Sequence, residues 1–259
     1  MSKLIVVLGA TGGQGRSIGV EVAEANTDDQ ASLERAFQGT SAIFAFTDYY
    51  DYFFQLGPEK SMARKANVDV FIKENLAGLY EKTTFVMFTI FAANLILYEI
   101  FRPIYLVIVR QKMGSILSCP PGHSVSSIGD HKVTSGIFVR GIIENPPKPG
   151  IYVKCNVEDL TMGTFLAAWG RSSGISPEPN STAVIQISLE QYVALWGEMG
   201  EEQASQWRFF QFMKDAGINP SQVEGFKLVE GKDVLSEELR ASLVPAEEGM
   251  KTMDWSSYR

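Results

Sequence analysis

The sequence predicts an α/β fold in which helices pack on a mostly parallel sheet. A short apolar run, Leu4–Leu8, precedes a glycine-rich turn, which is typical of a strand buried on both faces. Two further apolar runs, Ser41–Phe46 and Thr83–Phe88, predict buried strands and are separated from it by segments with helical spacing. This alternation favours a parallel sheet, because parallel neighbours need a long crossover connection.

The helices of the first half follow from capping and periodicity. Thr27–Gln38 begins with a Thr-x-x-Gln capping pattern and then repeats apolar residues on one helical face. Pro58–Leu79 predicts a second helix with proline near its first turn. A third helix is expected from about Ala92, directly after the strand Thr83–Phe88.

From Lys112 onward the sequence becomes richer in loop residues, and CPPGHSVSSIGDHKVTSG and ENPPKPG predict loops. Strands are expected at Gly150–Lys154 and Ala183–Ile187. Helices are expected at Ile137–Ile143, Thr161–Ser172, Leu189–Trp196 and Glu202–Ala216. The polar tail Leu235–Arg259 is expected to pack loosely.

The composition defines the class of protein. Of 259 residues 45% are hydrophobic and 20% are charged, which excludes a disordered chain. The net charge of −7 argues against a nucleic-acid partner. Two cysteines, Cys119 and Cys155, cannot build a disulfide framework, so we expect a reducing, cytoplasmic compartment.

Membrane and export signals are weak. The apolar run after the N-terminus is too short for the core of a signal peptide. The apolar stretch Thr83–Val109 is interrupted by Asn94, Glu99, Arg102 and Pro103, and its longest uncharged part falls short of the ~20 residues that span a bilayer. We therefore expect a buried core segment and no membrane partner.

The motif with clear chemical meaning follows the first strand directly. It has the pattern Gly-x-x-Gly-x-x-Gly and comprises Gly9, Ala10, Thr11, Gly12, Gly13, Gln14 and Gly15. Such a turn makes the tight strand-to-helix bend and lets main-chain N–H groups approach a pyrophosphate. Because the motif stands directly after a predicted strand, it favours dinucleotide binding over a turn without a ligand.

Several segments resemble the NmrA-like proteins, which are atypical short-chain dehydrogenase/reductases. The similar segments are VLGATGGQG, Thr47-Asp48-Tyr49, Lys65-Ala-Asn-Val, KTTFVMFTIFAANLILYEIFRP, SSIGDHKVTSGIFVRGII, VEDLTMGTFLAAWGRSSG and ISLEQYVALW. The resemblance is to fungal members and covers most of the chain. It implies a Rossmann-like doubly wound parallel sheet over 1–110, here shortened, and a smaller α+β C-terminal substrate subdomain over 111–259 that is interleaved with it.

The resemblance also implies a cofactor, NADP or NAD, and the residues that bind it. Gly9–Gln14 would surround the pyrophosphate, while Asn26 and Thr27 would lie near the adenine. Thr47, Asp48 and Tyr49 would line the cofactor groove, and Lys65 would lie near the nicotinamide ribose as the candidate catalytic residue. The loop Phe91–Asn94 would close over the nicotinamide, and its end residues Phe91 and Asn94 would bind the cofactor. From the residues alone, a solvated helix lysine is the better interpretation of Lys65, and a helix cap is the better interpretation of Asp48.

The sequence departs from the family pattern at two junctions. Only four residues separate Gly15 from the strand-like VEVAEA, where the family has a helix, a strand and a basic residue for the 2′-phosphate. Alternatively, Gln14–Ala25 is itself the helix, and the next strand is lost. With either interpretation of this first junction, the sheet is short of strands. A second gap precedes Lys65, where the family has a strand that ends in serines.

Two functions remain open at this point. The first is an NAD(P)-dependent oxidoreductase that acts on a small molecule in fungal secondary-metabolite biosynthesis. The second is a non-catalytic NAD(P) sensor that binds a transcription factor and would enter the nucleus. No Tyr-x-x-x-Lys pair is present, since Ser61 and Asp69 stand four residues before Lys65 and Lys73. A third hypothesis is a truncated gene product without a stable fold.

Other side chains carry weaker signals. His123 and His131 lack metal-ligand spacing, so we expect structural or surface histidines and no metal site. Ser126, His123 and Asp130 lack the nucleophile elbow that a catalytic triad needs. An aromatic cluster is expected in the core or an interface; its members are Trp196, Trp207, Phe209, Phe210, Phe212 and Met213.

Overall fold

The computed structural model describes residues 5–7, 30–45, 77–106, 112–218 and 227–258. The described strands are β1 (Ile5–Val7), β2 (Ala42–Phe44), β3 (Phe85–Phe88), β4 (Ile90–Phe91), β5 (Ile104–Leu106), β6 (Lys112–Leu117), β7 (Ser124–Gly129), β8 (Tyr152–Cys155), β9 (Glu158–Thr161), β10 (Thr182–Gln186) and β11 (Leu228–Glu230). The described helices are α1 (Gln30–Phe37), α2 (Ala77–Tyr80), α3 (Asn94–Leu97), α4 (His131–Glu144), α5 (Met162–Ser173), α6 (Leu189–Asp215), α7 (Glu237–Ala241) and α8 (Ala246–Lys251). Short 3-10 turns lie at Glu99–Phe101, Gly231–Val234 and Ser256–Tyr258.

The first two predicted strands pair in parallel, as the alternating pattern predicted. Ile5 lies opposite Ala42, and Val7 lies opposite Phe44. The helix α1 precedes β2, within the range predicted for it. The prediction that β2 is buried is wrong at its centre, where Ile43 is 47% exposed. The side chains of β2 therefore alternate: Ala42 and Phe44 are half-buried, and Ile43 between them is exposed.

The segment Phe85–Phe91 joins two sheets. Its first part, β3, pairs in parallel with β8, which pairs in parallel with β11 on its other side. Its second part, β4, pairs in parallel with β7, whose other neighbour β9 runs antiparallel. At the junction, the amide and the hydroxyl of Thr89 both donate to the Cys155 carbonyl, at 3.4 and 3.1 Å.

Two strands after Lys112 were not predicted from the sequence: β7 lies within the first predicted loop, and β6 directly precedes that loop. The strand β6 lies between β10, its parallel neighbour, and β5, its antiparallel neighbour. The strand β7 carries Ser124, Ser126 and Ser127. Small polar residues weaken the hydrophobic alternation that reveals a strand, and here the sheet partners decide the conformation. In β6 a side chain at Gly114 would meet the Leu106 side chain and the Ala183 carbonyl, so the three strands approach closely there.

The long helices begin at capping side chains. Asp130 accepts from the Lys132 amide at the start of α4, so this helix begins six residues before the predicted Ile137. Capping boxes at Thr161 and Ser188 begin α5 and α6. Gly197 interrupts α6 with φ 56° and ψ −138°, which corresponds to the break predicted between two helices.

The apolar segment that follows β4 belongs to the core. Only α3 and the Glu99–Phe101 turn are helical there, so the predicted helix is shorter than expected. Ala92, Leu95 and Phe101 are buried in the larger core cluster, together with residues of α5 and α6. None of the helices in the described ranges is both long and apolar enough to cross a membrane.

The prediction of a loose C-terminal tail is wrong. Met250 and Trp255 are buried, and the Trp255 indole donates to the Met250 carbonyl at 2.7 Å. The Trp255 ring meets the Trp169 ring edge to face at 6.1 Å. Arg171 binds Glu247 through two hydrogen bonds of 2.9 and 2.8 Å. The few apolar residues of the tail thus reach the core, although their low density suggested a frayed end.

Truncation of Trp255 tests whether the tail belongs to the folded unit. We expect Trp255→Ala to lower the free energy of unfolding by about 3–5 kcal/mol, because Trp255 is only 6% exposed and leaves a cavity beside Trp169. Phe212→Ala is the control, because Phe212 is 61% exposed, and we expect a change within about 0.5 kcal/mol. Urea denaturation measures both. Equal stabilities of the two variants would mean that the tail is not integral.

Candidate functional site

The carboxyl ends of the parallel strands define the candidate site. Val7 ends β1 and Phe44 ends β2, and the two residues are register partners. The Phe44 ring meets the ring of Phe88, the last residue of β3, edge to face at 6.3 Å. The strands β1, β2 and β3 therefore end close to one another, and ligands of open α/β sheets bind at this edge.

Most of the predicted cofactor-binding residues lie outside the described residues. They are Gly9, Ala10, Thr11, Gly12, Gly13, Gln14, Asn26, Thr27, Thr47, Asp48, Tyr49 and Lys65. In the chain, the glycine turn begins two residues after β1, and Thr47 follows β2 by three residues. Their roles stay predictions, whereas Phe91 and Asn94 can be described.

Phe91 is the last residue of β4 and is held from two directions. Its ring stacks on the His131 imidazole, with 5.0 Å between the ring centroids and 12° between the planes. The amide of the next residue, Ala92, donates to the Gly129 carbonyl at 3.3 Å. The end of β4 is thus fixed against the end of β7 and the start of α4.

Asn94 is the first residue of α3 and offers an unused hydrogen-bond acceptor. Its Oδ1 atom is buried and has no partner among the residues that the structure describes. An unpaired buried carbonyl oxygen costs about 1–3 kcal/mol, so such an atom is a candidate for a ligand contact. The preceding Ala93 gives the helix no side-chain cap.

The strand β7 ends in a tight structure that supports Phe91. Gly129 has φ +71°, and a Cβ there would lie 1.9 Å from the Val244 carbonyl oxygen. The Asp130 amide donates to the same carbonyl at 3.2 Å. Sequence reasoning considered Asp130 only for a triad and missed its role as a cap. The Gly-Asp pair before a helical stretch was the available signal.

Among the described residues, the two histidines have structural neighbours, and the three residues considered for a triad do not come together. No group of metal-ligating side chains occurs within the described ranges. His123 Nδ1 lies 3.3 Å from Gln211 Oε1, whereas Ser126 donates to Asp159 at 2.5 Å. Both histidines are buried, which corrects the alternative of surface histidines but agrees with a structural role.

Burial sets the pKa values of the buried polar groups. It lowers the pKa of His123 against the raising effect of the Gln211 hydrogen bond. It also lowers the pKa of His131, opposed by the Asp130 carboxylate. Burial raises the pKa of the Cys119 thiol to about 12, and it raises that of Cys155 as well. Burial therefore favours the protonated form of both thiols at neutral pH.

The predicted aromatic cluster divides into a buried and an exposed part. Trp207 is buried, and it meets Phe101 edge to face at 6.1 Å and His123 at 5.2 Å. Phe209, Phe210 and Phe212 are exposed on the same helix. Sequence reasoning missed Tyr192, which is fully buried with its hydroxyl near Trp207 and has its pKa raised by burial. The segment that contains Tyr192 was used for the family resemblance and predicted as a helix, but no role was assigned to the tyrosine.

The comparisons with known proteins identify the fold. No family model matches the chain, and no curated protein matches it either. The solved structure of NmrA, a negative transcriptional regulator in complex with NADP, is 14% identical with a TM-score of 0.63, and the alignment covers 99% of this chain and 96% of that one. NmrA in complex with NAD is 13% identical with a TM-score of 0.54 over the same shares, 99% and 96%. A nucleoside-diphosphate-sugar epimerase from Staphylococcus aureus is 16% identical with a TM-score of 0.55, over 96% of this chain and 99% of that chain.

These likenesses confirm the predicted fold. The chain has a mixed α/β fold with parallel strands, and its structural neighbours have Rossmann-like folds. The resemblance to NmrA seen in the sequence is therefore matched by the structure over nearly the whole chain. The division into domains at residues 110 and 111 stays a prediction.

The lowered pKa values of the two buried histidines predict how the free energy of unfolding depends on pH. Their pKa values in the folded state lie below the ordinary value of 6.5, so the unfolded state binds more protons than the folded state as the pH falls toward and below 6.5. The free energy of unfolding should therefore fall as the pH is lowered from about 7.5 to 5.5. Urea denaturation across this range measures the slope. The double variant His123→Gln, His131→Phe keeps the contribution of the carboxylates, and an undiminished slope in it would contradict the assignment.

Proposed function

We propose that this chain is an NmrA-like, NAD(P)-dependent oxidoreductase that acts on a small molecule in fungal secondary-metabolite biosynthesis. The parallel pair of β1 and β2 carries the proposal. Both strands are followed in the chain by segments predicted to bind the cofactor, the glycine turn and Thr47–Tyr49. The contact between Phe44 and Phe88 supports a common edge, where a dinucleotide would bind.

The motifs that follow β1 and β2 in the chain are those expected for a nicotinamide dinucleotide. NmrA was solved with NADP and with NAD, and its fold is that of this chain. The glycine turn would bind the pyrophosphate through main-chain N–H groups, with Asn26 and Thr27 near the adenine. The buried, unpaired Asn94 Oδ1 supports a ligand contact at the end of β4, where Phe91 would close over the nicotinamide.

The chemistry would divide between the cofactor and the protein. When bound, a reduced nicotinamide dinucleotide would supply a hydride to a conjugated carbonyl or alkene and become oxidised. Lys65 would hold a proton near the ribose hydroxyl or polarise that hydroxyl, and is the candidate catalytic residue. The Phe91–Asn94 segment would orient the ring and exclude water. The partner in this proposal is a small-molecule substrate, and the compartment is the cytoplasm.

A non-catalytic regulator is the second candidate. NmrA is described as a negative transcriptional regulator, and this chain has no Tyr-x-x-x-Lys pair. The side chains of Phe209, Phe210 and Phe212 are exposed, and such an apolar patch is typical of a protein–protein contact. Catalysis on a small molecule does not need it. In this reading the chain senses the oxidised-to-reduced dinucleotide ratio and binds a transcription factor, also in the nucleus.

Cofactor titration tests what the two candidates share. We expect isothermal titration of the folded protein with NADP+, NADPH, NAD+ and NADH to give a dissociation constant on the order of micromolar for at least one of them. Gly12→Val should abolish this binding, because a side chain there blocks the approach of the pyrophosphate to the turn. Gly78→Ala is the control, since a Cβ at Gly78 meets nothing within 4 Å. A folded wild type that binds none of the four would eliminate both candidates.

Turnover then distinguishes the enzyme from the regulator. For an oxidoreductase, we expect Lys65→Ala to reduce NADPH consumption with conjugated carbonyl substrates by at least about a hundredfold. Lys73→Ala removes a lysine of the same predicted helix and should leave the rate unchanged. Binding by the wild type without turnover on any conjugated carbonyl would favour the regulator.

A further inference from the structure

We propose that His131 is a positioning residue for the Phe91–Asn94 segment, because its imidazole forms the flat surface that holds the Phe91 ring. The inference rests on the proposed function only for what the segment does, since the contacts themselves lie within the described residues.

The backbone brings these two residues together. Ile90 lies opposite Ser127, but Phe91 lies opposite Gly129, so one step along β4 corresponds to two along β7. The extra residue lies on β7, and such an irregularity bends the strand that carries it, here just before α4. Phe91 therefore ends its strand beside the first residue of α4.

The ring contact completes the attachment. The two rings are almost parallel, at 12°, and their centroids are 5.0 Å apart. His131 is 6% exposed, and its Nδ1 atom has no partner among the described residues. The ring therefore contributes its face and not a hydrogen bond through Nδ1, and a phenyl ring can substitute for that face.

The support under His131 is rigid. The Val244 carbonyl accepts from the Asp130 amide and fills the space beside Gly129. A Cβ at Gly249 would lie 2.7 Å from the Asp130 Cβ, so α8 packs directly against the start of α4. Loss of the imidazole would leave Phe91 with a void on one side while this support stays in place.

Hydrogen exchange tests the proposal without a cofactor. We expect His131→Ala to speed the exchange of peptides that cover Phe91–Asn94 at least about tenfold relative to β10 peptides, since the Ala92 amide loses its fixed position against Gly129. His131→Phe keeps a flat ring and should stay within about twofold of the wild type. His131→Leu, which fills the volume without a flat ring, replaces the alanine variant if that variant does not fold.

The matched control is the other buried histidine. His123 is 2% exposed and contacts Gln211 and Trp207, not Phe91. His123→Ala should lower the melting temperature without changing exchange at Phe91–Asn94. Unchanged exchange in His131→Ala, or equal acceleration in His131→Phe, overturns the proposal.

Affinity measures the consequence for the cofactor. We expect His131→Ala to raise the dissociation constant for NADPH about tenfold, and His131→Phe to restore it to within about twofold. A wild type that binds no dinucleotide contradicts the proposed function, and the exchange result still decides the role of His131. A wild type that binds, with the same affinity in His131→Ala, overturns the role of this contact in binding.

Discussion

The arrangement of this protein depends on one extended segment, Phe85–Phe91, whose backbone bonds two different sheets. Its first half needs β8 beside it, and its second half needs β7. The peptide groups of this segment are hydrogen-bonded to both sheets, so neither sheet can move without breaking bonds to it. The end of the segment, where Phe91 meets His131, therefore lies at a place fixed by both sheets.

The C-terminal residues complete this arrangement. The Tyr258 hydroxyl donates to the Leu95 carbonyl, and Arg102 lies over the Tyr258 ring at 4.6 Å. On the other side, Val244 and α8 support Gly129 and Asp130. Both flanks of the Phe91–Asn94 segment are thus held by a part of the chain more than a hundred residues away. A loop that must stay in position to contact a ligand gains that rigidity from packing, not from its own sequence.

The two functional candidates share one physical requirement, which is a dinucleotide bound at the carboxyl edge of the parallel strands. They differ in whether a proton donor stands beside the nicotinamide. Tyr192 has a buried hydroxyl, which is a group able to donate a proton. Burial raises the pKa of this hydroxyl, however, and Tyr192 packs with Trp207 in the core cluster that also contains Leu95 of α3. Lys65 remains the candidate proton donor, so its role distinguishes an oxidoreductase from a sensor.

The sequence by itself determined the fold class and about half of the described elements. Continuous apolar runs and capping residues are local signals, so β1, β2, β3, α5 and both parts of α6 were predicted close to their observed bounds. The glycine turn predicted a dinucleotide for the same reason, because a short motif carries its chemistry locally. The Thr47–Tyr49 triplet was assigned to the cofactor through the family resemblance. Only the tertiary structure decided the strands β6 and β7, the packing of Trp255 and the stack of Phe91 on His131. Each of these depends on partners far along the chain, and residues such as Ser127 and Gly114 take their conformation from neighbouring strands and not from their own propensity.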